Sequence, residues 1–178
     1  MISQNRHRKQ IFCALFAALT AVFAQLAIPV GPVPITLGTL AVLTAGAVLG
    51  RNYGALSIGI YVLLGAIGLP VFSLFRGGLG FIMSPVGGFT IGYIFTAALV
   101  GAFVDSKGIA PKVLFPAMIL GNLVCYAFGL AWFMPLTGAT LWKALTVCVF
   151  PFLIGDAIKI SISVFLVQKL HKIGFLKN

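Results

Sequence analysis

Apolar residues fill this chain in long runs, and the polar positions fall between the runs. An α-helix needs about 20 mostly apolar residues to cross the hydrocarbon core of a bilayer. On that measure the first predicted span covers residues 11–28, where Pro29, Pro32 and Pro34 break it. A shorter second span covers 37–50, and Arg51-Asn52 makes a tight turn. The third covers 53–69 and stops at Pro70, before the Gly-rich segment Phe75-Arg-Gly-Gly-Leu-Gly80 and Ser84-Pro-Val-Gly-Gly88. The fourth covers 87–104, the fifth 113–133 and the last 152–170, with 141–149 as a short helix leading into it. The second span is short for a full crossing, which predicts that the Pro-rich loop before it dips toward the membrane. Irregular backbone is tolerated at that depth only where protein or a water-filled cavity satisfies it.

Composition turns this pattern into a class. The 178 residues are 61% hydrophobic and 8% charged, with a mean hydropathy of +1.15. A soluble domain carries about a quarter charged residues. The chain therefore reads as an all-α integral membrane protein, residues 1–178 forming a single transmembrane domain. The formal net charge is +10, from 12 Lys+Arg against two acids. The basic residues sit at the edges of the apolar runs, a mark of membrane orientation rather than of nucleic-acid binding. With both termini inside, the inner side carries Arg6, Arg8, Lys9, Arg51, Lys107, Lys112, Lys169, Lys172 and Lys177, and the outer side only Arg76 and Lys143. That bias predicts six spans with cytoplasmic termini, and it places the Pro-rich and Gly-rich loops outside. The N-terminus superficially resembles a signal peptide, but its apolar region is too long and reads as a retained helix. Cys13, Cys125 and Cys148 lie in apolar stretches and read as buried hydrophobes. His7 and His171 lie in terminal basic clusters, and no spacing suggests a metal or a cofactor.

Asp156 and Lys159 change the picture most. They interrupt the apolar run of residues 150–167, and their spacing puts both on one helix face. A charge at mid-helix in a bilayer costs about 2.5–3.5 kcal/mol on insertion scales, so such groups ordinarily face a pocket or pathway. A self-neutralising pair that fixes helix packing is the plainer alternative. Arg76 stands alone in the Gly-rich loop, as a solvated charge or a ligand contact. Gly77, Gly78 and Gly80 beside it permit tight turns or close backbone approach. No Gly-Lys-Ser/Thr follows, so no Walker A signature is present and active transport would draw on a partner or an ion gradient. Asn122 and Tyr126 share a helix face four residues apart, and with Trp132 they are candidates to line a pocket for a flat, partly polar ligand. In the first span Ala14, Ala17, Ala18 and Ala21 form small-xxx-small pairs, suited to bundle packing or to docking another membrane subunit. Two acids, two terminal histidines and no Gly-x-Ser-x-Gly give little basis for an enzyme.

Four motifs, in order and spacing, carry a resemblance: Gly31-Pro-Val-Pro-Ile-Thr-Leu37, Gly65-Ala-Ile-Gly-Leu-Pro-Val-Phe72, Gly77-Gly-Leu-Gly80 with Ser84-Pro-Val-Gly-Gly88, and Pro151-Phe-Leu-Ile-Gly-Asp-Ala-Ile-Lys159. Over about residues 12–170 the chain resembles the BioY family, the biotin-binding substrate (S) components of energy-coupling-factor transporters. The resemblance implies a six-helix S-component fold in the cytoplasmic membrane of a prokaryote, capturing biotin at the outer face. It also implies a membrane-embedded coupling subunit and two cytoplasmic ATPases as partners. Asp156 and Lys159 match the family's Gly-Asp-x-x-Lys biotin-binding motif. The Arg76–Gly80 region matches its Gly-rich site loop, Thr36 falls in the first motif, and Ala14 and Ala18 match the face offered to the coupling subunit. Two residues depart from the pattern: Gly38 stands where Gln is common and Phe89 where Tyr is common. An S component for another vitamin, or a non-transport membrane protein, are the alternatives.

Overall fold

The structure, a computed structural model, describes the backbone of residues 2–29 and 31–172 and side chains from residue 7 onward. Lys177 and the Arg6 side chain, counted above among the inner basic residues, lie outside that description. Helix α1 is Ile2–Gln25, and it meets a two-stranded hairpin, β1 (Ala27–Ile28) and β2 (Ile35–Thr36). Helix α2 (Gly38–Ala66) is broken at Gly50. A 3₁₀ turn (Ser73–Phe75) and the single turn α3 (Leu79–Ile82) lead into α4 (Gly87–Lys107) and α5 (Pro111–Thr137). Helix α6 (Leu141–Cys148), a second 3₁₀ turn (Phe150–Phe152) and α7 (Leu153–Lys172) complete the chain.

Counting the two halves of α2 separately gives six long helical segments. By length and composition, Gly38–Ala66, Gly87–Lys107, Pro111–Thr137 and the Leu141–Lys172 stretch are apolar enough to cross a membrane. The expected pause at Arg51-Asn52 falls on the break at Gly50, whose φ of 77° and ψ of −178° lie in a region essentially reserved for glycine. The backbone N–H of Arg51 donates to Asp105 Oδ2 at 2.8 Å. Gly101 lets α4 press against the Gly50–Arg51 backbone, where a Cβ would lie 2.6 Å from the Arg51 Cα. The turn between the two halves thus has no loop; a carboxylate and a glycine contact replace one.

The structure departs from the expected spans in three places. The Pro-rich segment is not wholly irregular: Ala27 pairs with Thr36 and Ile28 with Ile35, so a small β-hairpin is added to the all-α expectation. Prolines 29, 32 and 34 sit in its loop, where their missing N–H groups interrupt no ladder. Helix α1 extends through the basic N-terminal residues and stops at Gln25, three residues before the predicted end. Helix α5 runs through Pro135 to Thr137, where Gly138 ends it in the left-handed conformation. Near a helix end the lost proline N–H is one bond of the last turn, and Thr137 Oγ1 donates to the Phe133 carbonyl there, at 2.7 Å.

Contacts between distant segments fix which helix ends meet. The Lys9 ammonium lies 5.7 Å from the Tyr53 ring centroid, and the Cys13 thiol faces the Tyr53 carbonyl. The Gln168 carboxamide donates to the Ile109 carbonyl. The N-terminal end of α1, the Gly50 turn, the α4–α5 turn and the C-terminal end of α7 therefore share one end of the bundle. The hairpin, the Gly-rich segment and the N-termini of α4 and α7 share the other. Between them lies a core of Leu43, Ala47, Val100, Leu114, Met118, Ile160, Val164 and Val167, from α2, α4, α5 and α7.

Candidate functional site

Asp156 lies in the first turn of α7, where the exposed N–H groups and the helix dipole favour a negative charge. Its carboxylate and the Lys159 ammonium are both buried and meet at 2.9 Å through Oδ1. The other oxygen accepts from Asn122 Nδ2 at 2.9 Å and from the Tyr126 hydroxyl, both on α5. Lys159 also donates to Thr39 Oγ1 at 3.1 Å, in the first turn of α2. One cluster thereby joins three helices. A buried ion pair left short of hydrogen bonds is poor value in stability, and this one is well supplied.

The cluster forms one wall of a void of about 40 Å³, and Asn122, Tyr126 and Asp156 also line a groove of about 300 Å³ between α5 and α7. Val33, Pro34 and Thr36 of the hairpin close the void, Phe89 and Tyr93 of α4 face the cluster, and Cys125, Cys148 and Phe152 complete the apolar side. A second void of about 40 Å³ adjoins it and shares Val33, Pro34, Thr36, Phe89 and Tyr93. Ala24, Tyr61, Ser73, Phe81, Val86 and Thr90 form the rest of that space. Ligand sites measure about 300–1,000 Å³. The space behind the hairpin therefore takes a vitamin-sized molecule only if the hairpin or the segment carrying Ser73 and Phe81 moves outward.

Donor and acceptor counts define what the cluster can hold. A carboxylate offers about four lone-pair sites, and three neighbours occupy Asp156. One site on Oδ1 is left. Lys159 has three N–H donors, of which Asp156 and Thr39 take two. Asn122 keeps its carbonyl oxygen and one N–H. The cluster thus presents an acceptor beside donors at the edge of an apolar slot lined by aromatic rings. That suits a flat ligand with an N–H next to a C=O.

The residues expected to act together divide. Asp156, Lys159, Asn122, Tyr126 and Thr36 come together at the voids. Arg76, Gly77, Gly78 and Gly80 line neither void. Arg76 is exposed, and its carbonyl accepts from the Phe72 N–H at 2.9 Å. Gly77 packs on the Leu69 carbonyl, and the Gly78 N–H donates to Gly65 at 2.6 Å. The Gly-rich region reaches the second void through Phe81 and Val86 instead, and Ser73 just before it lines the same void. Trp132 packs on Gly88 outside both voids, its indole N–H buried without a partner. Ala14 and Ala18 are exposed on α1, beside Ile11, Leu15 and Val22, while Ala17 is buried.

Sequence reading passed over Thr39, Tyr93, Phe152 and the sulfur pair Cys125 and Cys148 as wall residues. Thr39 carried a signal, as a hydroxyl one turn from Thr36 at the start of a span. The apolar wall carried none, because it resembles every other apolar face in the chain. Of the two departures, Gly38 is buried, and a Cβ there would sit 3.2 Å from Thr36 Oγ1 and 3.7 Å from the Tyr93 hydroxyl. Phe89 lines both voids and packs its ring on Gly129.

Comparison with known proteins agrees with this architecture. The chain matches the BioY family over residues 1–174. A probable biotin transporter of Pyrococcus horikoshii is 40% identical over 158 residues, which are 89% of this chain and 93% of that protein. A biotin transporter of Thermotoga maritima is 36% identical over 166 residues, 93% of this chain and 97% of that one. A biotin transporter of Rhizobium etli is 40% identical over 170 residues, covering 89% and 90%. A crystal structure described as the S-component for biotin from an ECF-type ABC transporter matches with a TM-score of 0.89 at 29% identity, over 97% of this chain and 95% of its own. Alike in motifs, in fold and along nearly their whole lengths, these proteins set the assignment: the chain belongs to the BioY family.

Proposed function

We propose that this protein captures biotin at the outer face of a prokaryotic cytoplasmic membrane and serves as the substrate-specific subunit of an energy-coupling-factor transporter. The observation that carries the reading is the buried Asp156–Lys159–Asn122–Tyr126 cluster, closed in by the Pro-rich hairpin, in a chain so similar to named biotin transporters. Biotin offers ureido N–H donors, a ureido carbonyl, an apolar thiophane ring and a carboxylate tail. A ureido N–H fills the remaining lone-pair site of Asp156. The neighbouring carbonyl accepts from the third N–H of Lys159 or from Asn122, through charge-assisted bonds in a low dielectric. Phe89, Tyr93 and Phe152 cover the ring faces. The carboxylate then points toward the outer loops, where Arg76 is the basic residue of the Gly-rich segment.

The excess of Lys and Arg at the end of the bundle opposite the site supports cytoplasmic termini and an outward-facing cluster. ATP hydrolysis belongs to two cytoplasmic ATPases, transmitted by a membrane coupling subunit. The exposed Ala14–Ala18 face of α1 is the surface for that subunit, since small residues allow close helix approach.

Calorimetric titration of purified protein, stripped of co-purified ligand, tests the reading. Tight one-to-one binding of biotin, with thiamin and riboflavin silent, is the expected result. A folded protein that gives no heat with biotin overturns it.

A further inference from the structure

Gln25 is the last residue of α1, and neither the Asp156 cluster nor the voids include it. Its side chain nevertheless makes an unusual set of bonds to a segment 45–50 residues away. The carboxamide nitrogen donates to the Phe72 carbonyl at 3.1 Å and to the Pro70 carbonyl at 3.3 Å, sharing its two hydrogens with the Ala21 carbonyl at 3.3 Å. The carboxamide oxygen accepts from the Phe75 N–H at 2.8 Å. Both polar ends of one side chain are thus used on a single loop.

That loop needs holding. Leu74 and Phe75 both have positive φ, 61° and 56°, which non-glycine residues rarely adopt. Such conformations persist only where the surroundings over-determine them. Here the surroundings are the Phe72–Arg76 bridge, Gln25 and the buried Phe72 ring, which stacks on Phe81 with centroids 4.6 Å apart. Ser73 and Phe81 line the second void, and Ala24, the residue before Gln25, lines it too. The loop is therefore one of the two segments that close the space beside the Asp156 cluster.

We propose that Gln25 is a positioning residue that ties this loop to the end of α1 and so sets how long a bound ligand is retained. The expected ligand is biotin, and that part rests on the function proposed above; the loop's attachment does not. The carboxamide is suited to the task because it supplies a donor and an acceptor from one rigid plane. Gln25→Glu keeps the acceptor for Phe75 but loses both N–H donors. Gln25→Ala loses everything and leaves the Phe72 and Pro70 carbonyls without this partner.

The test uses two readouts on the full chain in detergent. Ser73→Cys, a near-isosteric change at a buried position, is combined with Gln25, Gln25→Glu or Gln25→Ala. Its labelling by a polar maleimide is then followed by peptide mass spectrometry without ligand. Labelling is expected to rise about tenfold in Gln25→Ala, from the loss of its hydrogen bonds to the loop, and to rise in Gln25→Glu too, where an acceptor-only oxygen faces the Phe72 and Pro70 carbonyls. Biotin release, measured by stopped flow on chains with native Ser73, is expected to accelerate in both variants. The thermal midpoint of the ligand-free protein should stay near that of the parent. Unchanged labelling overturns the proposal. So does faster release and labelling accompanied by an equal loss of global stability, because that describes general loosening. If the parent binds no biotin, the biotin reading fails and labelling alone decides the attachment of the loop.

Discussion

The chain has two carboxylates, one at each end of the bundle, and they do different work. Asp156 is buried, accepts from Lys159, Asn122 and Tyr126, and still has a lone-pair site to offer. Asp105 is exposed and accepts from one backbone N–H, that of Arg51, across the break in α2. The first is a costly charge whose neighbours leave a place open. The second is a cheap charge whose neighbour is fixed. On the function proposed above, burial with an open valence marks the ligand site, and exposure with a backbone partner suits a scaffold role.

The comparison breaks first at Asp156. Asp156→Asn removes the anion while keeping the shape, and biotin binding is expected to weaken by roughly 100-fold, the order of a lost charge-assisted bond. Calorimetry measures it, and a parent-like affinity would remove Asp156 from the site. The pair itself is tested next. Lys159→Met leaves a buried carboxylate with neutral donors, so Asp156→Asn combined with Lys159→Met should destabilise the protein by less than the sum of the singles. A coupling of about 1–3 kcal/mol is expected in thermal or denaturant unfolding, and additivity would mean that the charges do not interact.

At the other end the signature reverses. Gly50→Ala forces a side chain into a glycine-only conformation and against the Asp105 carboxylate, at a cost of about 1–3 kcal/mol. Asp105→Ala loses the bond to Arg51 and costs about 1 kcal/mol, as the loss of a helix N-cap does. Both are read as a lower unfolding midpoint, with biotin affinity within twofold of the parent. A large loss of affinity in either would erase the division of labour. Arg76→Ala should have the smallest effect, within about threefold on affinity, since an exposed cation contributes about 0–1 kcal/mol. A larger loss would show that the outer loop folds over the ligand's carboxylate.

How much of this was legible in the sequence follows from cost. Asp156 and Lys159 stood out because charge in an apolar run is expensive, and Asn122 with Tyr126 because helical spacing aligns them. The break at Gly50 was marked by Arg51-Asn52 in a hydrophobic stretch, although the role of Asp105 there was hidden by a separation of 54 positions in the chain. Of the apolar wall, Phe89 stood out only as a departure from the family pattern, and Tyr93 and Phe152 were invisible because every face of such a chain is apolar, and only packing tells a slot from a lipid surface. Arg76 and Trp132 show the reverse problem. Their types suited a site, but loop geometry and α5 packing place them outside the voids.

The loopless turn at Gly50 also decides where this protein can be opened for engineering. A reporter spliced between Gly50 and Arg51 would have to displace the Asp105 bond and part α4 from the backbone beneath Gly101, so fusions there are expected to express poorly. Gly138 is exposed between α5 and α6, and a Cβ there would meet nothing within 4 Å. A pair of fusions at these two points would make the protein report on its own assembly: one tolerated, the other rejected by a junction a single residue thick.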